Sequence, residues 1–392
     1  MTRRALIGDP NSPLDRMKIC FATSRLGEAS CGESEKLEGT LDGSSRITHE
    51  LATEMARLGH DVVAVTDAPK SNLQFLNRDY EVTTIGSRFS LANITRFSKM
   101  VRDIRPDIIH FHGGQPISIY AKMFKIGTAL PVVFTYTFIP SLVRQSLKIQ
   151  SRVARSFTSR TLSLRSFRKL NFDHVIALTK FARTRLVRDE RIPPETTSVI
   201  HYGIPRASLE QPSQEQLQGR KGVVCTSGTT EERGLGTFLS SIQIVRPMFP
   251  DVDFAIAVRD RSELANVRQN PLDGIRIIGP GTLNHSVNSH PIVVMPFSKH
   301  AAVDPPISLL ECMSWGKRVV STHVGSITEI LGIERGICVP PHNARALGKG
   351  VLQLLGDDSM GKSLADKAQA FIRNNYDWNR ATDSVLDIYR ST

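Results

Sequence analysis

The chain has 392 residues, of which 40% are hydrophobic and 22% charged, and its formal net charge is +12. A chain of this length usually divides into two domains, and its composition excludes disordered and fibrous classes of protein. The five cysteines are scattered without a CxxC pair. Their spacing argues against a disulfide framework or a zinc site and favours a reducing compartment.

The positive charge is concentrated in the first half of the chain. Residues 1–205 contain 30 Lys and Arg against 19 Asp and Glu, whereas the remainder contains 20 against 19. Such an asymmetry indicates an anionic partner for the first half: a membrane, a nucleic acid or a phosphorylated substrate. A basic surface that is merely solvated has the same composition.

The chain begins with MTRRALIGDPNSPLDR, which lacks the apolar core of a signal peptide. The most apolar window, GTALPVVFTYTFIPSLV, is short for a membrane span and contains two prolines. We therefore expect a cytoplasmic protein without a transmembrane helix. Because the first strand-like run begins at Met17, residues 1–16 are expected to form an N-terminal extension.

Short apolar runs recur through the first half and predict strands that are buried on both faces. They are MKICFAT, DVVAVT, DIIHFH, PVVFTY, HVIAL and SVIHY. Helical patterns lie between them; in 44–58 apolar residues recur every three or four positions, and Gly59 follows as a stop signal. This alternation predicts a parallel, doubly wound sheet in an N-terminal domain of residues 17–205.

The same alternation restarts after a polar segment near 203–221, which predicts a domain boundary. The strand-like runs of this half are GVVCTS, DFAIAV, IRIIG, IVVMPF, RVVST and GICVPP. The sequence SITE at 326–329 has the pattern of a capping box, and Asn343 is expected to cap a helix. We predict a second Rossmann-like domain over 206–375 and a final helix within 376–392.

Two doubly wound domains form a cleft between the carboxyl ends of their sheets, where such folds bind ligands. Candidate site residues therefore lie on loops that follow strands. These loops are 43–45, 112–114, 135–137, 227–234, 297–311 and 323–326. The sequence contains no GxGxxG, Walker, nucleophile-elbow or HExxH motif, so dinucleotide, P-loop and hydrolase functions lack specific support.

The most informative stretch is 303–326, VDPPISLLECMSWGKRVVSTHVGS. Its double proline, which ends at Pro306, predicts a helix start, because proline in the first turn sacrifices no needed donor. The backbone amides of Ile307 and Ser308 are then free to bind a phosphate. One turn further, Glu311 is an isolated carboxylate that can accept two hydroxyl hydrogens of a ribose or sugar. A phosphate beside a ribose indicates a nucleotide site.

This stretch resembles the donor-nucleotide region of retaining GT-B glycosyltransferases of family 4, the large glycosyltransferases group 1 family. DGSSRITHELATEMARLGHDVVAVT is similar to the family's N-terminal glycine loop and helix, PDIIHFHGG to its fourth strand and VIHYGIP to its interdomain crossing. SGTTEERGLGTFL is similar to the first turn of its C-terminal domain, and YDWNRATDSVLDIY to its final helix. Six motifs in the family order are specific, and the resemblance covers nearly the whole chain from Met17.

The resemblance implies an α/β protein of GT-B fold, with two Rossmann-like, doubly wound domains facing a cleft and a C-terminal helix that returns to the N-terminal domain. It implies a nucleotide-diphosphate sugar as donor substrate in the C-terminal domain and an acceptor on the N-terminal one. Transfer in the family retains the anomeric configuration and needs no metal, so no cofactor is expected.

Matching positions give the residues their implied roles. Glu311 would hold the donor ribose, and the amides at the start of its helix would hold the distal phosphate. Gly43 and Ser44 would lie near the donor phosphate and the acceptor. Arg233 stands where the family has a lysine against the diphosphate, and its guanidinium can grip a phosphate with two donors. Such a site must stabilise the charge of the leaving group.

Three polar groups of the family pattern are absent or displaced. The first glutamate of its pair falls at Val303, an arginine beside the diphosphate falls at Gly228, and the cleft histidine falls at Thr137. The candidate substitutes are Asp304, Lys299, His300 and His112. With these losses, an inactive or regulatory paralogue stays open as an alternative, because fold does not imply function.

The two histidines of the fourth predicted strand are expected on opposite sides of the strand, and therefore not as a metal pair. We place His110 in the core and His112 in the cleft, at the carboxyl end of the strand. Together with Asp304 and Glu311, His112 forms the predicted catalytic set. The predicted donor-binding set is Gly43, Ser44, Arg233, Lys299, Pro306, Ile307, Ser308 and Glu311.

Residues 138–170 contain eight basic residues and no acid. Four of the basic residues recur at helical spacing among apolar residues, which is typical of a basic amphipathic helix. They are Arg144, Lys148, Arg152 and Arg155. Such a helix attracts anionic lipid by about 1 kcal/mol for each Lys or Arg near the membrane, although a solvated helix has the same pattern. On the acceptor side of a GT-B transferase, the segment favours a lipid-linked or phosphorylated acceptor at the inner face of the cell membrane.

Nucleic acid is a weaker candidate for the anionic partner, since aromatic residues make up only 6% of the chain and no recognition motif occurs. We expect a metal-independent, retaining hexosyltransferase that moves a sugar from a nucleotide-diphosphate donor to a cell-envelope, polysaccharide or lipid-linked acceptor. The alternatives are a transferase for a small-molecule metabolite, a sugar-nucleotide 2-epimerase of the same fold, and a non-catalytic nucleotide-sugar-binding paralogue.

Overall fold

The computed structural model describes residues 16–24, 26, 43–68, 79–86, 89–114, 117–139, 172–204, 221–258, 263–264, 267, 274–279, 287, 289–299 and 304–392. Several predictions fall outside these ranges. They concern the extension before Arg16, the boundary segment 205–220, the basic residues Arg144, Lys148, Arg152 and Arg155, and the positions of His300 and Val303.

The first sheet consists of parallel strands from the first half of the chain. They are β1 (Lys18–Thr23), β2 (Asp61–Thr66), β3 (Glu81–Thr84), β4 (Ile108–Gly113), β5 (Val132–Tyr136), β6 (His174–Ala177) and β7 (Thr197–Val199). Its helices are α1 (Gly43–Arg57), α2 (Ile94–Ile104), α3 (Ile117–Ile126) and α4 (Lys180–Asp189). The strand order is β3-β2-β1-β4-β5-β6-β7. It reverses between β1 and β4, so the carboxyl ends of these strands form the topological switch point.

The second sheet is parallel as well and is built from the second half of the chain. Its strands are β8 (Gly222–Cys225), β9 (Asp253–Ala257), β10 (Ile275–Ile278), β11 (Ile292–Met295), β12 (Arg318–Thr322) and β13 (Ile337–Val339). Its helices are α5 (Leu235–Val245), α6 (Ile307–Ser314), α7 (Ile327–Leu331), α8 (Ala344–Gly356) and α9 (Asp358–Asn375). The order β10-β9-β8-β11-β12-β13 places the switch point between β8 and β11.

The last helix, α10 (Trp378–Ser391), returns to the first sheet. Its apolar face, including Trp378, Val385 and Tyr389, is buried in the core that also contains Ile19 and Phe21 of β1. The indole Nε1 of Trp378 donates to a carbonyl in the crossing between the sheets, at 2.9 Å. The predicted fold class is therefore confirmed, including the returning helix.

The predicted strands agree closely with the structure, with one strand missed, and one of the two predicted helix caps is confirmed. Asn343 accepts a hydrogen bond from the Ala346 amide at 2.9 Å and caps α8 as predicted. The missed strand is β3, whose sequence EVTT is only partly buried, so it lacks the continuous apolar run by which the others were recognised. In the described part of the chain, no helix is long and apolar enough to cross a bilayer.

Candidate functional site

The N-terminal side of the cleft is the start of α1, which follows β1. Ser44 Oγ and Thr137 Oγ1 are hydrogen-bonded at 3.0 Å, so this helix start is tied to the end of β5. Thr48 Oγ1 donates to the Ser44 carbonyl at 3.0 Å and also contacts His112 Nδ1 at 2.9 Å. Ser44, Thr48, His112 and Thr137 are all buried. Thr137 stands where the family resemblance implies a cleft histidine. Its hydroxyl instead contacts Ser44 and so holds the start of α1.

The C-terminal side of the cleft is the start of α6, which follows β11 and begins directly after Pro306. The amides of Leu309 and Leu310 already bond back to the Pro306 carbonyl, at 3.0 and 3.4 Å. The amides of Ile307 and Ser308 precede them and have no acceptor within the helix, because the first turn of any α-helix leaves its donors unused. The predicted helix start is confirmed, and it has the donors and the dipole that favour an anion.

Glu311 lies one turn into α6 and only 3% of its surface is exposed. Its Oε1 atom accepts from Nη1 of Arg46 at 2.9 Å. Arg46 belongs to α1 on the N-terminal sheet, so this ion pair crosses the cleft. The sequence indicated the carboxylate but gave no sign of its cationic partner.

Two cationic side chains, Arg233 and Lys299, are carried by neighbouring loops at the second switch point. The loop after β8 carries Arg233, whose guanidinium lies 5.7 Å from the centre of the Phe297 ring in the loop after β11. The amides of Ser298 and Lys299 both donate to the Glu232 carbonyl, at 3.0 and 3.3 Å, and so join the two loops. The fold thus places two cations at the carboxyl ends of adjacent strands, where a diphosphate would need them.

Asp304 has a different environment from the one predicted for it. It is 2% exposed, and its carboxylate accepts from the Thr179 hydroxyl at 3.3 Å and from the Ser326 amide at 3.1 Å. Its own amide donates to the Thr137 carbonyl at 3.1 Å. Thr179 and Thr137 belong to the N-terminal sheet and Ser326 to the C-terminal one. This geometry makes Asp304 a contact between the domains, and its catalytic role stays a prediction.

The predicted capping box at the start of α7 is wrong. The Ser326 side chain makes no capping hydrogen bond. The carboxylate of Glu329 instead accepts from the amides of Lys180 and Phe181 at 3.0 and 2.8 Å, at the start of α4 in the N-terminal sheet. A negative charge stabilises any helix N-terminus, and a tertiary contact here replaces the local one. Glu329 is therefore a second contact between the two domains.

The expectation that His110 and His112 lie on opposite sides of β4 is also wrong. Residues two apart on a strand share a face, and the two rings lie 4.2 Å apart. His110 contacts the hydroxyls of Tyr389 and Thr135 at 2.6 and 2.7 Å, as befits a core histidine. Burial lowers the pKa of His112 to about 3. His112 is fully buried, and its Nδ1 atom contacts Thr48 of α1, so its predicted role at the cleft stays a prediction.

The ion pair between Arg46 and Glu311 joins α1, whose first residues are the predicted Gly43 and Ser44, to α6, and Arg233 and Lys299 lie on the loops of the second switch point. Arg46 was missed because its relation to Glu311 exists only in the folded chain. Within the described ranges, no three His, Cys, Asp or Glu side chains form a group that could hold a metal ion.

Two family models match the chain. Residues 41–207 match glycosyltransferase family 4, and residues 220–357 match glycosyl transferases group 1. The first match contains the start of α1, and the second contains Arg233 and α6. No curated protein matches the chain.

Solved structures share the fold at low sequence identity. HepE from Anabaena, solved in complex with UDP-glucose, is 15% identical, with a TM-score of 0.73 over 96% of this chain and 100% of that one. Sucrose-phosphate synthase from Thermosynechococcus elongatus is 15% identical, with a TM-score of 0.69 over 95% and 99%. WaaG, a glycosyltransferase involved in lipopolysaccharide biosynthesis, is 14% identical, with a TM-score of 0.64 over 95% and 99%.

Proposed function

The chain belongs to the GT-B glycosyltransferases described by the family 4 and group 1 models, and on that premise we propose that it transfers a hexose-type sugar from a nucleotide-diphosphate donor with retention of anomeric configuration. The observation that carries the proposal is the arrangement around α6. A helix start whose first amides have no acceptor within the helix, the cations Arg233 and Lys299, and the buried carboxylate Glu311 all belong to one switch point. They complement a distal phosphate, a diphosphate and a ribose respectively.

In the proposed reaction the donor diphosphate is the leaving group. The bond between the anomeric carbon and the phosphate oxygen breaks, and the acceptor oxygen forms its bond to that carbon on the same face of the sugar. The acceptor proton passes to an oxygen of the departing phosphate, so neither a protein base nor a metal is required. Arg233, Lys299 and the amides at Ile307 and Ser308 stabilise the charge that develops on the leaving group.

For the acceptor we propose a cell-envelope, polysaccharide or lipid-linked glycan. The likeness to WaaG, which acts in lipopolysaccharide biosynthesis, supports a cell-envelope acceptor. The basic segment 138–170, of which residues 140–170 lie outside the described residues, supports an anionic lipid surface on the acceptor side. The protein would then act at the inner face of the cell membrane without spanning it.

Replacing Arg144, Lys148, Arg152 and Arg155 by Gln is expected to release the protein from vesicles that contain anionic lipid, as measured by co-sedimentation. A matched control removes four charges from the exposed basic residues of α2 and the position after it. These are Arg96, Lys99, Arg102 and Arg105. If both variants leave the vesicles equally, or neither does, the segment is not the membrane contact.

A second candidate function is a non-catalytic protein that binds nucleotide sugars. The observation in its favour is that the position of the cleft histidine is Thr137, whose hydroxyl is engaged by Ser44 rather than directed at a substrate. A third possibility, transfer to a small metabolite, has the likeness to sucrose-phosphate synthase in its support, and a 2-epimerase of the same fold is a fourth.

A panel of UDP, GDP and ADP sugars separates these functions. We expect one donor to bind and to be hydrolysed slowly in the absence of acceptor, with the anomeric configuration of the released sugar followed by NMR. Binding without turnover would favour the non-catalytic protein, and conversion to an epimeric sugar nucleotide would favour the epimerase. If no sugar nucleotide binds, the proposed function is wrong.

A further inference from the structure

Arg46 is a residue of the N-terminal domain that contacts the proposed donor site of the C-terminal domain. Its Nη1 atom lies 2.9 Å from Glu311 Oε1, and its side chain is 29% exposed whereas that of Glu311 is 5% exposed. The arginine thus reaches from the edge of the cleft to a carboxylate that is otherwise enclosed. A charged partner matters more to an enclosed carboxylate than to one in water, because screening is weaker there.

The backbone that carries Arg46 is rigidly held. Immediately before it, Ser44 is bonded to Thr137, and Ser45 Oγ donates to the Ser24 carbonyl at 3.3 Å. Immediately after it, Ile47 is buried in the core against which Ile307 of α6 also packs. These contacts fix the first turn of α1 against the first turn of α6. Arg46 can therefore contact Glu311 only while the two domains are in contact.

Asp304 and Glu329 make other polar contacts between the domains, and these differ from the contact of Arg46 with Glu311. Asp304 contacts Thr179, and Glu329 contacts the start of α4, but neither carboxylate belongs to the proposed donor site. The ion pair between Arg46 and Glu311 is a polar contact, among the described residues, in which a carboxylate of that site takes part. The contact between the domains and the proposed binding of the ribose therefore depend on the same carboxylate, that of Glu311.

We propose that Arg46 is a positioning residue that holds the Glu311 carboxylate in the orientation required by the donor ribose. Arg46 contacts Oε1 from the N-terminal side and so restricts the rotation of the carboxylate. Donor affinity then depends on the approach of the acceptor-binding domain, although Arg46 itself touches neither sugar nor diphosphate. This inference rests on the proposed function and adds to it a residue that couples the two domains.

Arg46→Ala is expected to raise the dissociation constant of UDP, or of the nucleotide selected by the panel, about tenfold. The KM for the donor should rise by a similar factor while kcat changes less than about threefold, because the reacting atoms are not contacted. Arg46→Lys should recover much of the affinity, since an ammonium can still reach one carboxylate oxygen. Calorimetry and initial rates measure these quantities, and thermal melting checks that each variant is folded.

The matched control is Arg57→Ala, which removes another arginine of α1 that pairs with a glutamate, Glu54 at 3.3 Å, away from the cleft. Its nucleotide affinity should equal that of the wild type. A double-mutant cycle with Glu311→Gln tests the route of the effect: Arg46→Ala should cost less than about twofold further in that background. Ligand-observed NMR measures affinities that are too weak for calorimetry.

Three results would overturn the inference. Unchanged nucleotide affinity in Arg46→Ala would leave the ion pair as a domain contact only. An undiminished tenfold loss in the Glu311→Gln background would mean that Arg46 acts on the nucleotide directly. A fall in kcat with unchanged KM would place it at the reacting atoms. If the wild type binds no nucleotide, the proposed function fails instead, and the two failures are thereby distinguished.

Discussion

Glu311→Gln is expected to weaken donor binding by about 100-fold or more while the protein remains folded. Hydrogen bonds to a charged group contribute about 1.5 to 3 kcal/mol each, so the loss of charge beneath two ribose hydroxyls corresponds to factors of roughly 10² to 10⁴. Glutamine keeps the size of the side chain and avoids a cavity in α6. Arg46, which would lose its partner, is partly exposed and can be hydrated instead.

The measurement is the affinity for the nucleotide together with kcat/KM for the donor. Ser314→Ala in the last turn of α6 is the matched control, because among the described residues its hydroxyl donates to the backbone carbonyl of Glu311 and lies away from the helix start. Wild-type affinity in the Glu311→Gln variant would show that Glu311 does not bind the ribose, and the proposed site would lose its central residue.

Gly234→Ala is expected to lower the midpoint of thermal unfolding by roughly 6 to 12 °C. In a domain of about 150 to 250 residues this corresponds to a loss of about 3 kcal/mol or more in the free energy of unfolding. Gly234 has a φ of +81°, in the left-handed region that disfavours any residue with a Cβ. A Cβ atom there would lie 1.7 Å from the Pro296 carbonyl oxygen, which is backbone and cannot move aside locally. The two loops that carry Arg233 and Lys299 would be forced apart, so nucleotide affinity should fall as well.

Gly59→Ala separates the two causes of this effect. Gly59 follows α1 with a φ of +89°, but a Cβ atom there would meet nothing within 4 Å. Only the backbone strain remains, and the midpoint should fall by roughly 2 to 4 °C. Equal losses in both variants would show that the contact with Pro296 is unimportant, and nucleotide affinity should be unchanged in Gly59→Ala.

The architecture could be predicted from the sequence because strands buried on both faces carry continuous apolar runs. DVVAVT and RVVST coincide with β2 and β12 residue for residue. The exception, β3, lies at the edge of its sheet and is partly exposed, so nothing in EVTT distinguishes it from a loop. Local propensity is a weak guide wherever burial is incomplete.

The site could be predicted only where a residue's chemistry is unusual within its own segment. Glu311 was recognised as an isolated carboxylate in an apolar helix, and the start of α6 from its prolines. Asp304 also looked functional, and Glu329 was expected to cap its own helix, but their partners, at Thr179 and Lys180, lie far away in the sequence. Whether a carboxylate contacts a ligand or another domain depends on the folded arrangement, which no local motif contains.

The return of α10 to the first sheet has a consequence for synthesis. The core around Ile19 and Phe21 is completed by Trp378, Val385 and Tyr389, and domains generally begin to fold in the order in which the ribosome makes them. The half of the protein that is translated first is therefore the half that is finished last. Until α10 has been synthesised, the apolar surface of the first sheet that α10 covers lacks this helix, and the core around Ile19 and Phe21 is completed only when α10 packs against it.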